Sequence, residues 1–144
     1  MAPPGRRTFV VASVFLMLVG VLHAAGHFAY RPTDPGVLAI IAALKSQRVP
    51  LGLGMAPSML DLQNALSLTM AGTFVWLGLT GAIVALAGAS AKTLRWMTFV
   101  SLAGGAALLM LYAHYRIPTT FVSLALVEVM YALSLLRQAM GFQG

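Results

Sequence analysis

FVVASVFLMLVGVLHAAGHFA, residues Phe9–Ala29, contains no Asp, Glu, Lys or Arg and is apolar at nearly every position. A half-buried strand would alternate, and a helix at a water-facing surface would keep a polar side. An unbroken apolar run of about 20 residues instead matches the ~30 Å of hydrocarbon that a transmembrane helix crosses. Charges and turn residues mark off three more such runs, Ala65–Ala87, Trp96–Tyr115 and Phe121–Leu136. The second is extended backwards through a polar first turn. The fourth is extended through Pro118-Thr119-Thr120, because Pro fits a first helical turn. The expected spans are then 9–29, 59–88, 96–115 and 118–137, with an outer segment over 30–57. Closed β-barrels are the other spanning solution, but they alternate with period two, and these runs do not. The fold class expected is all-α: a transmembrane four-helix bundle forming one integral membrane domain over 1–144.

Composition agrees. Of the 144 residues 60% are hydrophobic and 8% charged, against roughly 25% charged in soluble domains, which excludes a soluble globule. With no Cys there is no disulfide framework, thiol nucleophile, CxxC redox pair or iron–sulfur ligation. No Walker loop, nucleophile elbow, dinucleotide-binding glycine fingerprint or His-Glu-x-x-His occurs. The net charge of +6 has no clustered basic face with interleaved aromatics, so it implies lipid anchoring and topology, and no nucleic acid.

Lys and Arg near the span ends set orientation. Arg6, Arg7, Lys92, Arg95 and Arg137 would lie on one side; Arg31, Lys45, Arg48 and Arg116 on the other. The first span, preceded by Arg6-Arg7, places both termini in the cytoplasm and the protein in the bacterial inner membrane. Arg6-Arg7, the apolar core and Ala24-Ala25-Gly26 also resemble a secretory signal with a small-residue cleavage site, and Arg6 to Val10 a twin-arginine signal. The apolar run is longer than a signal core, so a retained span is expected.

The outer segment contains a short helix signal. Thr33 or Asp34 can cap it, Pro35 fits its first position, and Val37, Ile40, Ile41 and Leu44 recur at i, i+3, i+4 and i+7. Such a stripe would lie in the headgroup zone with Lys45 and Arg48 facing phosphates.

Polar residues within spans are candidate functional groups because placing them there is costly. His23 and His27, four apart, stack on one helix face, close enough for two imidazoles to reach one ligand. His114, Asp61, Gln63 and Asn64 are expected at the same outer level. The expected ligand-binding set is His23, His27, Asp61, Asn64, His114 and Lys45, taking a small polar or lipid-headgroup ligand. His23, His27, His114 and Asp61 would be the ligands if the bound species is a metal ion; haem would need His23 or His27 opposite His114. Plainer roles stand beside these. Interfacial His can bond backbone or headgroups, and Ser58-Met59-Leu60-Asp61 has the spacing of a capping box. Glu128 is separate, about ten residues into the fourth span and so ~15 Å deep. It should be protonated or hydrogen-bonded and turned inward, with Tyr131 on its face. Gly20, Gly72 and Gly104-Gly105 fall at similar depth, where small residues permit close helix packing or leave room for a ligand.

Leu22-His23-Ala24-Ala25-Gly26-His27, Ala43-Leu44-Lys45 and Asp61-Leu62 resemble a family of small bacterial four-helix integral membrane proteins with a His-x-x-Gly-His motif in the first span. The likeness covers roughly the first 85 residues and implies four spans with His23, His27, Lys45 and Asp61 as site residues, without an activity. Aromatic residues commonly follow the Asp in that family, whereas Leu62-Gln63-Asn64 stand here. The functional expectation is a small polytopic protein with an outer-leaflet polar ligand or metal site, leaning away from enzyme activity. An enzymatic variant would use His27 as general base, oriented by Asp61, with Lys45 or Arg48 on a negative substrate group. The alternatives are an accessory subunit or homo-oligomer packing through Ser101 to Gly105, and a small proton-coupled transporter using Glu128.

Overall fold

A computed structural model describes residues 2–114 and 118–141. Among them five helices form: α1 (Arg6–Ala29), α2 (Pro35–Ser46), α3 (Met59–Leu86), α4 (Ala91–His114) and α5 (Pro118–Met140). Four are long and apolar enough to cross a membrane, making this a multi-pass membrane protein. At 1.5 Å per residue, the 28 residues of α3 extend about 42 Å. That exceeds a ~30 Å hydrocarbon layer and leaves its Asp61-Gln63-Asn64 turns room beyond the apolar length. Tyr115 and Arg116, the expected end of the third span and one of the expected outer cations, lie outside the described residues.

The observed ends differ from the expected ones for local reasons. α4 begins at Ala91 rather than residue 96 because Ser90 caps it: the Thr93 amide donates to Ser90 Oγ (3.1 Å), and the two hydroxyls are 2.9 Å apart. Lys92 and Arg95 therefore lie inside the helix. α3 ends at Leu86 in a Schellman turn, with Gly88 at φ +93. The Gly88 amide donates to the Ala85 carbonyl and the Ala89 amide to that of Val84, both at 3.3 Å. α1 starts at Arg6, whose guanidinium donates to the Leu86 carbonyl at 2.7 Å. α5 starts at Pro118 as expected and continues to Met140.

Contacts divide the chain into two compact units, residues 20–73 and residues 1–19 with 74–144. In the larger unit, segments of α1, α3, α4 and α5 pack together. α1 and α3 approach each other closely at two glycines. A Cβ on Gly78 would collide with the Ser13 carbonyl and come within 2.7 Å of the Met17 amide nitrogen, and one on Gly81 within 2.8 Å of Ser13 Oγ. Only glycine lets these backbones meet so closely. The buried core here includes Phe9, Ala12, Phe74, Leu94, Leu124, Val127 and Tyr131. Near the chain ends lies a polar layer. Ser134 donates to the Gly5 carbonyl (3.0 Å), Gln138 donates to Thr98 (2.9 Å) and Ser134 (3.0 Å), and Arg137 donates to Thr8 (2.7 Å).

In the smaller unit, Asp34 caps α2 by accepting from the Val37 amide at 3.0 Å, with Pro35 in the first turn. Residues 47–58 then form a hairpin that has no counterpart among the expectations from sequence. The Val49 amide donates to the Pro57 carbonyl and that of Leu51 to Met55, both at 3.0 Å. Gly52, Leu53 and Gly54 all take positive φ at its tip, where Leu53 is 97% exposed.

Gly78→Val should lower stability by about 1–3 kcal/mol, the usual cost of overpacking. Gly72→Ala, with nothing within 4 Å of the added methyl, should leave it near wild type. Thermal unfolding of both variants in detergent measures the contrast.

Candidate functional site

The expected outer polar residues engage local partners. His23 on α1 and Ser67 on α3 meet through Nε2 and Oγ at 2.9 Å. The His27 ring stands edge-on to its neighbour Phe28, with centroids 5.4 Å apart. Asp61 completes the capping box. Its Oδ2 accepts from the Ser58 amide (3.0 Å) and hydroxyl (2.7 Å), and its own amide donates to Ser58 Oγ (3.1 Å). Asn64 is half-buried, while Lys45 is exposed in the last turn of α2. Arg48 donates to the Ala56 carbonyl at 3.3 Å, bracing the hairpin. All of these belong to the 20–73 unit; His114, at the end of α4, belongs to the other. Among the described residues no three His, Asp or Glu side chains gather closely enough to hold a metal ion.

A different site lies wholly within the larger unit. Segments of α1, α3, α4 and α5 enclose a cavity of about 490 Å³, inside the ~300–1,000 Å³ range of small-molecule sites. Phe9 and Leu16 of α1, Phe74 of α3 and Leu124 of α5 form apolar wall. Leu77, Trp96 and Val100 also line it yet are 53%, 60% and 65% exposed. The cavity therefore opens sideways, through the flank that faces acyl chains in a bilayer. Trp96 is set edge-on against Phe99, with centroids 6.1 Å apart.

The polar groups of the cavity are few and come from named turns. The Tyr131 hydroxyl lies 3.2 Å from Ser13 Oγ, so one phenol links α1 and α5, and Ser101 of α4 lines the same cavity. One turn earlier on α5 is Glu128, half-buried, its carboxyl lying where a Cβ on Gly105 would be. Among the described residues no charge or hydrogen bond compensates that burial. Gly104, next to Gly105, lines the cavity, and a methyl added to it would meet nothing within 4 Å.

Of the glycines that depth counting puts level with Glu128, Gly20 and Gly72 belong to the other unit, whereas Gly104 and Gly105 line one cavity with it, together with Ser101 a turn away. The glycines there make room for the carboxyl and for the cavity, whereas close helix packing falls at Gly78 and Gly81. Sequence reasoning missed Ser13 and Thr80 as members of this region. Ser13 lies in the middle of the most apolar run, and only its spacing from Phe9 and Leu16 hints that it shares their face. No family model, curated protein or solved structure matches the chain.

Ser58→Ala removes the two bonds made by the Ser58 hydroxyl, leaves the Ser58 amide on the Asp61 carboxylate, and should cost about 1 kcal/mol. Chemical denaturation in mixed micelles, with Asp61→Ala alongside, should give similar losses that are not additive in the double variant, as a reciprocal pair requires.

Proposed function

We propose that this chain is a bacterial inner-membrane protein, with both termini cytoplasmic, that takes up a small membrane-soluble ligand into the cavity beside Glu128. The observation that carries the reading is the carboxyl seated against Gly105 at the wall of an otherwise apolar, laterally open space. A pocket of this kind suits a ligand with an apolar body and one polar group, arriving through the bilayer rather than from water. Its only acid makes exchange of a proton or a charge the natural chemistry, consistent with a small carrier using Glu128. The outer histidines, Asp61 and Lys45 then serve the periplasmic end of the protein. His23 and Ser67 tie two spans, and the Asp61 cap starts α3. Lys45 and Arg48 face lipid phosphates while α2 and the hairpin tip lie in the headgroup zone. The proposed orientation follows from Arg6 and Arg7 before the first span and Lys92 and Arg95 between the second and third.

The absence of native Cys gives a direct test of sidedness. Leu53→Cys should react with a membrane-impermeant maleimide in intact spheroplasts, and Ala91→Cys only after lysis; the reverse pattern would invert the topology.

Ligand uptake is tested with N-phenyl-1-naphthylamine, an uncharged aromatic probe. It should raise the melting temperature of the purified protein saturably, as any ligand of the native state does. Gly104→Leu, which fills the cavity, should abolish at least nine-tenths of that rise. A probe response equal in wild type and Gly104→Leu would remove the cavity from the proposal.

A further inference from the structure

The charge around the cavity narrows the class of ligand. None of its lining residues is Lys, Arg or His, and Glu128 is the only acid. The titratable group facing Glu128 from its own helix is Tyr131. The segments packed against it present Phe9 and Leu16 from α1, Thr80 from α3 and Ser101 from α4, none of them ionisable. When this carboxyl ionises, its negative charge therefore has no counter-charge among the lining residues. A neutral ligand leaves the carboxylate unpaired in apolar surroundings, and an anionic one adds repulsion. A cation with an apolar body supplies the missing charge and fills the walls together.

We infer that the cavity ligand is a lipophilic cation, such as a protonated amine or phosphonium carrying aromatic or aliphatic groups, that pairs with Glu128 and displaces its proton. The exchange balances simply. The protonated carboxyl releases its O–H proton to water as the cation enters, and regains one when the cation leaves, with no bond formed to the ligand. Trp96 at the open flank and Phe74 inside supply ring faces on which a weakly hydrated cation is favourably held. The Gly105 notch seats the carboxyl at the wall, so the charge pair forms without narrowing the apolar volume. This inference rests on the cavity reading above and adds to it the sign of the ligand's charge.

The test compares tetraphenylphosphonium, a permanent cation, with uncharged N-phenyl-1-naphthylamine on the purified full-length protein. Calorimetry should give saturable phosphonium binding that strengthens with pH, by up to tenfold per unit, until the carboxyl is fully ionised. A weakly buffered sample carrying a pH dye should register close to one proton released per cation bound in the acidic part of that range. Glu128→Gln, nearly isosteric, should weaken phosphonium binding at least tenfold and flatten its pH dependence while leaving the neutral probe's affinity within about twofold. Glu128→Asp should restore the pH dependence. Neutral-probe binding together with absent, pH-independent or Glu128-independent phosphonium binding would overturn the cation inference and leave the cavity reading standing. Loss of both ligands' binding would overturn both.

Discussion

One hydroxyl sets the alignment of two helices. Inside hydrocarbon a phenol without a partner is costly, and Tyr131 finds its partner on another helix, Ser13 of α1. Satisfying it fixes how far α1 is slid and turned against α5. The tilted stacking of the Phe9 and Tyr131 rings, centroids 5.4 Å apart, holds the same register. Further along α5 the device is repeated, one turn on by Ser134 with the Gly5 carbonyl and two turns on by Gln138 with Thr98. Once this alignment is set, Glu128 has one place to go. A turn before Tyr131, it faces α4 where Gly105 leaves a gap that any other residue would close.

The packing follows a division of labour among small residues. Gly78 and Gly81 bring α1 and α3 into backbone contact at Ser13, and that contact holds Ser13 within reach of Tyr131. Gly104 and Gly105 do the opposite on α4, keeping volume free on the side toward α5. The same residue type thus removes space on one helix pair and creates it on another. Which occurs depends on what stands opposite: backbone for Gly78, a carboxyl for Gly105.

That dependence marks the limit of what the sequence discloses. Four spans were legible because bilayer thickness imposes a length that no other fold requires, and the α2 helix and the Asp61 cap were legible because both are local patterns within a few residues. Span ends were less so. A hydropathy boundary stops at Lys92 and Arg95, while the helix itself starts at the Ser90 cap. The hairpin over 47–58 is held by backbone bonds that leave little trace beyond Gly52 and Gly54. For the candidate site, Glu128 and the paired glycines could be brought to one depth by counting 1.5 Å rises, with Tyr131 and Ser101 each about a turn away. Depth says nothing about rotation, and rotation decides whether a glycine faces a helix, a side chain or an opening. The histidines illustrate the converse. Four-residue spacing does stack two imidazoles, yet what each one meets is set by Ser67 on α3 and Phe28 beside it.

A carboxyl near mid-span costs about 2.5–3.5 kcal/mol on insertion scales, and among the described residues nothing compensates its burial with a hydrogen bond or charge. Substituting Leu would remove that cost and add apolar contact with the same walls, so packing alone gives no reason for an acid at this position. The Gly105 notch adds to the argument, because Gly in a helix interior is itself unfavourable by roughly 1 kcal/mol relative to Ala. Two locally unfavourable residues on different helices fit each other. Such a pair is consistent as a device for holding an exchangeable charge at the edge of an apolar space, and it has no comparable explanation as structure.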